Sequence, residues 1–438
     1  MKKVGMISLG CAKNRVDSES MLGMLAARGF EIVGDPAEAD LLFVNTCGFI
    51  ESAKEESIDA ILEMAQYKKL GDKKLFVTGC LAQRYPDALM SEIPEIDGLM
   101  GVAEYARLFE MLEAAEQNRR PCYTANGARF LHTPRVLTTP GYSAYVKISD
   151  GCDNRCTYCA IPLIRGGYSS RPFDDIVAEC EALAKGGVTE VTLIAQDTSR
   201  YGCDLGDGHY LLPELLESVS AIEGLHWVRV LYCYPDSTED RLLDAIQRLP
   251  KVAPYLDLPL QHIDDDLLKR MNRRGSADWI RSRIVECRRR GIILRTTMIV
   301  GFPGETDAQF QTLLDFVKET RFERLGAFTY SAEEGTVAAK MPNQIDDAVK
   351  NERLDQLMML QQSISMEVNE ARVGTECEVL VDGFDEEQGR FYGRSLLEAP
   401  ESDGCIWLES DRELNPGEYV QVRITGADAY DLEGTIIE

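Results

Sequence analysis

Long hydrophobic runs are absent from this sequence. No run of consecutive apolar residues reaches the length of about 18 residues that a membrane-spanning helix needs. The first residues, "MKKVGMISLG", contain two lysines but neither a long apolar region nor a cleavage site of small residues, so they do not indicate a secretion signal. We therefore expect a soluble, cytoplasmic protein with no membrane partner.

Basic residues are also scarce. The chain has 47 Lys and Arg against 73 Asp and Glu, a formal net charge of −26. Such a field disfavours attraction to phosphate backbones and to anionic membrane surfaces, whereas it suits a basic partner. The alternative is that the acidity only keeps the protein soluble.

The length of 438 residues exceeds what one hydrophobic core usually serves, so two or three domains are expected. Residues 1–118 alternate strand-like and helical patterns, which predicts a doubly wound parallel α/β domain. Residues 119–140 are rich in Pro, Thr, Arg and Gly and lack periodicity, as in a linker. Six strand-like runs separated by helical stretches in residues 141–371 predict a partial (β/α)6 barrel. Short β-type runs in 373–438 predict a small antiparallel β-barrel.

The segment "GCDNRCTYCA" places Cys152, Cys156 and Cys159 within eight positions and supplies no fourth cysteine nearby. A structural zinc site takes four protein ligands and is closed, whereas a 4Fe–4S cluster held by three thiolates leaves one iron open. An open iron can bind the amine and carboxylate of S-adenosylmethionine (SAM). The alternatives are a zinc site with a distant fourth ligand, or buried thiols without a metal.

Three further cysteines each follow a predicted strand: Cys11, Cys47 and Cys80. The carboxyl ends of parallel strands share one sheet edge, where such folds bind their ligands. We therefore expect these thiols to meet and to hold a second 4Fe–4S cluster, although free cysteines are also common core residues. The other seven lack ligand-like spacing and are interpreted as packing residues: Cys122, Cys180, Cys203, Cys233, Cys287, Cys377 and Cys405.

The spacing C-x3-C-x2-C, with Tyr158 before the last cysteine, resembles the signature of the radical SAM superfamily. The order of the three regions resembles the methylthiotransferase family over essentially the whole chain. The resemblance implies that the cluster at Cys152, Cys156 and Cys159 cleaves SAM to a 5′-deoxyadenosyl radical. It also implies that the cluster at the amino-terminal cysteines carries or activates the inserted sulfur, and that the last barrel is a TRAM-like module. An electron donor such as a flavodoxin and a sulfur source are implied as partners.

The segments "GCAKNRVDSESMLG", "VNTCGFIESAKEES", "GCLAQRY" and "YLDLPLQH" resemble the RimO-type branch of that family. This branch modifies an aspartate β-carbon in a small-subunit ribosomal protein, protein twelve, so that protein or the ribosome is the implied substrate. Residues 373–438 agree: four arginines, no lysine and seventeen acidic residues give 4 − 17 = −13, which disfavours transfer RNA. The alternatives are a transfer-RNA adenosine methylthiotransferase, or a non-catalytic iron–sulfur carrier or scaffold.

Several other residues are candidate cofactor contacts. The segment "TTMIVGFPGETDAQF" resembles the superfamily's strand beside the adenosyl group, which implicates Gly301 and Glu305. Gln196 and His262 end two other predicted strands, and Tyr158 lies between the second and third cysteines. Each also has an ordinary structural explanation, as a turn, cap or core residue. The fork geometry of arginine would suit a substrate carboxylate, or simple salt bridges, at three positions: Arg165, Arg171 and Arg295.

Overall fold

A computed structural model describes residues 1–69, 71–125, 130 and 134–437. These residues form two compact units. The first comprises Met1–Thr139, Ser149–Arg171 and Ser331–Ala339, and the second comprises Pro140–Ile148, Pro172–Tyr330 and Lys340–Glu438. The first unit therefore includes the loop of Cys152, Cys156 and Cys159, although this loop lies beyond the predicted domain boundary at residue 140.

The first unit is built on a six-stranded sheet in which every neighbouring pair is parallel. Its strands, in spatial order, are Glu31–Ile32, Lys3–Ser8, Leu41–Thr46, Lys74–Gly79, Gly98–Met100 and Cys122–Tyr123. This confirms the predicted parallel α/β fold. The last strand lies inside the segment predicted as a linker, of which residues 126–129 and 131–133 lie outside the described part.

Both faces of this sheet are covered, because its central strands alternate apolar residues between two core clusters. Phe43 and Phe76 stack at 5.0 Å on one face, whereas Leu42 and Val77 belong to the core on the other. Near-continuous apolar strands are typical of parallel sheets buried on both sides. The helices of this region are Ala12–Ala27, Glu51–Lys68, Cys80–Arg84, Pro86–Glu92 and Leu108–Glu116.

The second unit contains the six strands predicted between residues 141 and 371. They form two three-stranded parallel sheets. The strands are Ser143–Lys147, Glu190–Ile194, Trp227–Val230, Tyr255–Asp257, Ile293–Val300 and Arg324–Thr329. The helices are Phe173–Lys185, Leu212–Ser220, Asp240–Arg248, Asp265–Arg270, Ala277–Arg289, Asp307–Thr320 and Asp347–Glu370. Within the described part of the chain, every helix is too short or too polar to cross a membrane.

The carboxyl-terminal strands of the second unit close into a five-stranded barrel. In barrel order they are Glu376–Asp385, Arg390–Arg394, Ile406–Glu409, Leu432–Ile436 and Tyr419–Ala427. The predicted small barrel is confirmed, but one of its five pairings, Ile406–Glu409 with Leu432–Ile436, is parallel. Arg394 joins the barrel to the preceding core, because its two terminal nitrogens donate to the buried carboxylate of Glu190 at 3.1 and 3.0 Å.

Candidate functional site

The carboxyl edge of the first sheet gathers Cys11, Cys47 and Cys80. Cys11 immediately precedes the helix Ala12–Ala27, Cys47 follows the strand Leu41–Thr46, and Cys80 begins the helix Cys80–Arg84. The three preceding strands are direct neighbours in the sheet, so their ends lie side by side. Each of the three thiols lies within electrostatic range of the other two. The three cysteines therefore lie at one sheet edge, as predicted, and we call them the auxiliary triad. Their role as cluster ligands stays a prediction.

Two buried asparagines fix the backbone around the auxiliary triad. The Nδ2 group of Asn14 donates to the carbonyl oxygens of Leu9 and Thr46 at 3.0 and 2.9 Å. Asn45 in turn donates to the carbonyl of Asn14 at 2.8 Å. Both asparagines are fully buried, where backbone carbonyls need such donors. These hydrogen bonds connect the helix start to the strand ends beside the cysteines. The sequence motifs did not predict this network.

The environments of the three thiols differ. Burial raises the pKa of Cys80 to about 12, although the positive charge of Arg165 works against this shift. Burial also raises the pKa of Cys47, and negative charge on Cys11 adds to the effect. Desolvation acts in the same direction on Cys11, but the positive charges of Lys13 and Arg165 outweigh it and lower the pKa of this thiol. The charge of Arg165 therefore reaches all three sulfurs.

Cys152, Cys156 and Cys159 lie on one loop, which we call the loop triad. The loop begins at an unpredicted antiparallel pairing of Ser149–Asp150 with Ser169–Ser170 and continues into the short helix Ile161–Ile164. The N–H of Cys152 donates to the carbonyl of Gly166 at 3.1 Å, and that of Cys159 to the carbonyl of Cys156 at 3.0 Å.

Glycine is required at position 151, ahead of these thiols. Gly151 has φ +77, and a Cβ there would lie 2.1 Å from the carbonyl oxygen of Gly167. Neither the positive φ nor this close approach accommodates a larger residue. Glycine at this position therefore maintains the backbone shape of the loop ahead of the three cysteines.

The two triads were also compared with the ligand groups that hold a single metal ion. Among the described residues, no three His, Cys, Asp or Glu side chains are placed to share one ion. In a 4Fe–4S cluster each thiolate instead binds its own iron, and the donor set is thiolate. A Cβ at Gly10 would lie 2.8 Å from the Cβ and 3.0 Å from the sulfur of Cys47, so glycine leaves room beside the auxiliary triad.

Arg165 follows the loop triad and is engaged inside the protein rather than available to a substrate. Its Nη1 donates to both carboxylate oxygens of Asp150, at 3.1 and 3.0 Å, and its Nη2 donates to Asp17 at 3.0 Å. Arg295, in the second unit, pairs with Asp257 at 3.1 Å and lies 3.5 Å from Asp403. Of the two alternatives for these arginines, a substrate carboxylate or simple salt bridges, the structure shows salt bridges to carboxylates of the chain.

The second unit brings together three predicted site residues, Gly301, Glu305 and His262. The Nε2 of His262 lies 3.2 Å from Glu305, and both side chains are fully buried. Because the N–H of Asp264 donates to Nδ1 of His262 at 3.0 Å, the ring proton is on Nε2 and points to the carboxylate. The backbone N–H of Gly301 and the guanidinium of Arg353 also donate to Glu305. Glu305 thus holds the turn at Gly301, a contact that the separate strand patterns did not predict.

Two other predicted cofactor contacts are half-buried. Gln196 lies just after the strand Glu190–Ile194 in the second unit, and Tyr158 lies in the loop triad segment of the first unit. Their roles toward a cofactor stay predictions.

Three family models match consecutive parts of the chain. Residues 3–101 match "Uncharacterized protein family UPF0004", residues 146–317 match the radical SAM superfamily, and residues 373–437 match the TRAM domain. A ribosomal protein uS12 methylthiotransferase RimO from Desulforamulus reducens is 49% identical, with 100% of both chains covered. The same-named protein from Desulfitobacterium hafniense is 48% identical, covering 100% of this chain and 99% of the relative.

The chain belongs to the uS12 methylthiotransferase RimO family. Membership of the radical SAM superfamily gives it an iron–sulfur cluster and SAM as cofactors. Among solved structures, the radical SAM methyltransferase TsrM from Kitasatospora setae has a TM-score of 0.59 and 15% identity, covering 83% of this chain and 89% of that one. That similarity supports the fold.

Proposed function

We propose that the protein is a cytoplasmic radical SAM methylthiotransferase that inserts a methylthio group at the β-carbon of an aspartate in ribosomal protein uS12. The family supports the reaction and the substrate. The feature that supports the proposal is the auxiliary triad, because Cys11, Cys47 and Cys80 follow three strands that are direct neighbours in the sheet, in addition to the loop triad. An enzyme that only cleaves SAM needs the loop triad alone.

In this proposal Cys152, Cys156 and Cys159 hold one 4Fe–4S cluster and leave one iron for SAM. When bound, the cluster and SAM supply reductive cleavage of a sulfonium and hydrogen abstraction from unactivated carbon. Such a carbon has no acidic proton that a general base could remove. The residues of the chain must therefore bind and orient the substrate and exclude water from the site. Tyr158, in the same segment as the loop triad, is a proposed SAM contact. Within the second unit, the candidate cofactor contacts stay those predicted from the sequence: Gln196, His262, Gly301 and Glu305.

In this proposal Cys11, Cys47 and Cys80 would hold the second 4Fe–4S cluster, which would supply the chemistry for carrying or activating the inserted sulfur. Its surroundings are compatible with this role, because the lack of a side chain at Gly10 avoids a clash with the sulfur of Cys47. The reaction also requires electrons and sulfur from outside the chain. A flavodoxin-type donor and a separate sulfur source are therefore proposed as partners.

The carboxyl-terminal barrel favours a basic protein over RNA as substrate. Each of its four arginines already pairs with a carboxylate of the chain, as Arg390 with Glu433 at 2.9 Å and Arg423 with Glu376 at 2.7 Å. Neutralising RNA phosphates would require breaking these pairs. Exposed carboxylates remain for complementary contacts with a basic partner; they are Glu386, Glu387, Glu409, Asp411, Glu413 and Asp428.

The test is anaerobic reconstitution with iron and sulfide, followed by SAM, reductant and purified small ribosomal subunits. We expect uS12 alone to gain about 46 Da, the mass of CH2S, on one aspartate, as measured by intact and peptide mass spectrometry. A methylthio nucleoside in transfer RNA with unchanged uS12 would instead establish the other branch of the family. Absence of 5′-deoxyadenosine would favour a carrier without turnover.

A further inference from the structure

Arg165 contacts groups from both cysteine segments of the first unit. Its side chain is 1% exposed. On one side it binds Asp150, which directly precedes the loop triad segment, and on the other it binds Asp17 in the helix that begins after Cys11. Such a guanidinium, satisfied by two carboxylates, has one well-defined position.

The same guanidinium also reaches the auxiliary triad. Its Nη2 lies 3.8 Å from the sulfur of Cys80, within the range for an N–H···S contact, and 2.6 Å from the amide oxygen of Asn14. That amide oxygen is itself 3.4 Å from the sulfur of Cys80. Arg165 therefore places a positively charged donor beside the sulfur of Cys80, a proposed cluster ligand. It also holds the amide of Asn14, which contacts the same sulfur.

The charges around Cys80 act on any electron added at the auxiliary triad. Asp17 and Asp150 oppose added negative charge, whereas the guanidinium favours it, and burial strengthens both effects. Hydrogen bonds to the ligand sulfurs and local net charge are among the factors that set the potential of an iron–sulfur cluster. Removal of the guanidinium would take its positive charge away from the side chains of Asp17, Asp150 and Cys80.

We propose that Arg165 is a positioning residue that raises the reduction potential of the cluster held at Cys11, Cys47 and Cys80. This inference rests on the proposed auxiliary cluster and names the residue that adjusts the reduction potential of that cluster. In the reduction one electron passes from the donor to the cluster, and no covalent bond forms or breaks. Asp17, which binds the same guanidinium, lowers the potential.

The test uses full-length protein in which Cys152, Cys156 and Cys159 are all alanine, so that only the auxiliary cluster can form. Its reduction potential is measured by dithionite titration followed by electron paramagnetic resonance. Arg165→Gln is expected to change the ratio of reduced to oxidised cluster at least tenfold, a negative shift of about 59 mV or more for one electron. Asp17→Asn is expected to shift the potential in the positive direction.

Two further variants separate tuning from folding. Arg165→Lys keeps a positive charge but loses the two-pronged guanidinium geometry. The reduction potential of the cluster in this variant is therefore expected between those of the parent and Arg165→Gln. Arg135→Gln removes another buried arginine that pairs with the same helix, at Glu19, with side-chain exposures of 6% and 1%. It is expected to leave the potential unchanged. Iron content and circular dichroism are measured for every variant.

The outcomes distinguish the two proposals. If the parent binds no iron, both the auxiliary cluster and the tuning role are overturned. If the parent binds iron but Arg165→Gln and Asp17→Asn share its potential, only the tuning role is overturned. Should Arg165→Gln fail to fold, Asp17→Asn alone decides, since an unchanged or more negative potential there contradicts the proposal.

Discussion

The auxiliary triad and the loop triad are two sets of three cysteines that depend on different parts of the fold. The loop triad lies within eight positions of one continuous segment. The auxiliary triad combines residues 11, 47 and 80, which meet only because three parallel strands end at one edge. The first depends on local backbone shape and the second on the whole sheet.

The supporting contacts differ in the same way. Backbone groups of the loop itself bind Cys152 and Cys159, whereas the amides of Asn14 and Asn45 connect separate elements beside the auxiliary triad. A local change should therefore damage one triad and spare the other. Arg165 is the exception, because it contacts both segments.

Substitution of single cysteines should have the largest effect and should separate the two triads completely. Cys152→Ala is expected to abolish SAM cleavage, because three thiolates are needed to leave one iron open. Cys47→Ala is expected to retain cleavage and lose sulfur insertion. The measurements are 5′-deoxyadenosine by chromatography and the mass of uS12.

Cys122→Ala is the matched control, since Cys122 lies in the same sheet but away from these strand ends. It should change neither reaction. Normal sulfur insertion by Cys47→Ala would show that the auxiliary triad has no part in the reaction.

Two glycine substitutions should reproduce this separation without touching a thiol. Gly151→Ala forces a Cβ against the carbonyl of Gly167, and Gly10→Ala forces one against Cys47. Displacement of a reacting group by about 1 Å can cost about 100-fold in rate. We expect a loss of this order in SAM cleavage for Gly151→Ala and only in sulfur insertion for Gly10→Ala.

Gly29→Ala measures the cost of a positive φ alone. Gly29 has φ +83, and a Cβ there meets nothing within 4 Å, so only a modest loss of stability, about 1 kcal/mol, is expected. If all three variants lose the same activities, backbone strain rather than close approach at the cysteines is responsible.

Removal of one amide should weaken the auxiliary triad in a graded way. Asn14→Ala leaves the carbonyls of Leu9 and Thr46 without their donor, at a cost of about 1–3 kcal/mol in unfolding free energy. We expect reduced iron at the auxiliary triad and normal iron at the loop triad. Iron is counted per chain in backgrounds that retain only one triad, and equal loss in both would mean that the sheet edge supports both sites.

The loop triad could be recognised as a motif from sequence because its three cysteines and their glycine are close together in the chain, and its role as a ligand set stays a prediction. The auxiliary triad could be predicted only through the fold, since three separate cysteines gain meaning once their strands are parallel neighbours. The six strands of the second unit were likewise predicted, because each is a distinct apolar run followed by a helical pattern.

Pairings between distant residues could not be predicted. Arg165 was a candidate for a substrate carboxylate or for simple salt bridges, and its partners could not be named. It binds Asp17 and Asp150 because the helix after Cys11 and the segment around the loop triad lie close together in the first unit. The parallel strand pair of the last barrel was missed for a similar reason. Short β runs and turns predict hairpins, whereas the strand Tyr419–Ala427 separates the two paired strands along the chain.

A buried ion pair in the second unit should have the smallest effect on both triads. Burial works to raise the pKa of Glu398, but Arg372 and Arg324 outweigh it and lower the pKa to about 2 from the usual 4.5. Because the folded-state pKa is depressed, the stabilisation is fully present above about pH 4.5 and is lost as the pH falls toward 2. Its size is about 3 kcal/mol.

Glu398→Gln is therefore expected to lower the unfolding temperature at pH 7, and its difference from the parent should shrink between pH 4.5 and 3. Calorimetry across this range measures it, with Glu409→Gln as an exposed control in the same barrel. Iron at both triads should be unchanged at pH 7, because neither triad contains a ligand from the second unit. Loss of iron from either triad in this variant would contradict the claim that each triad depends only on contacts within the first unit.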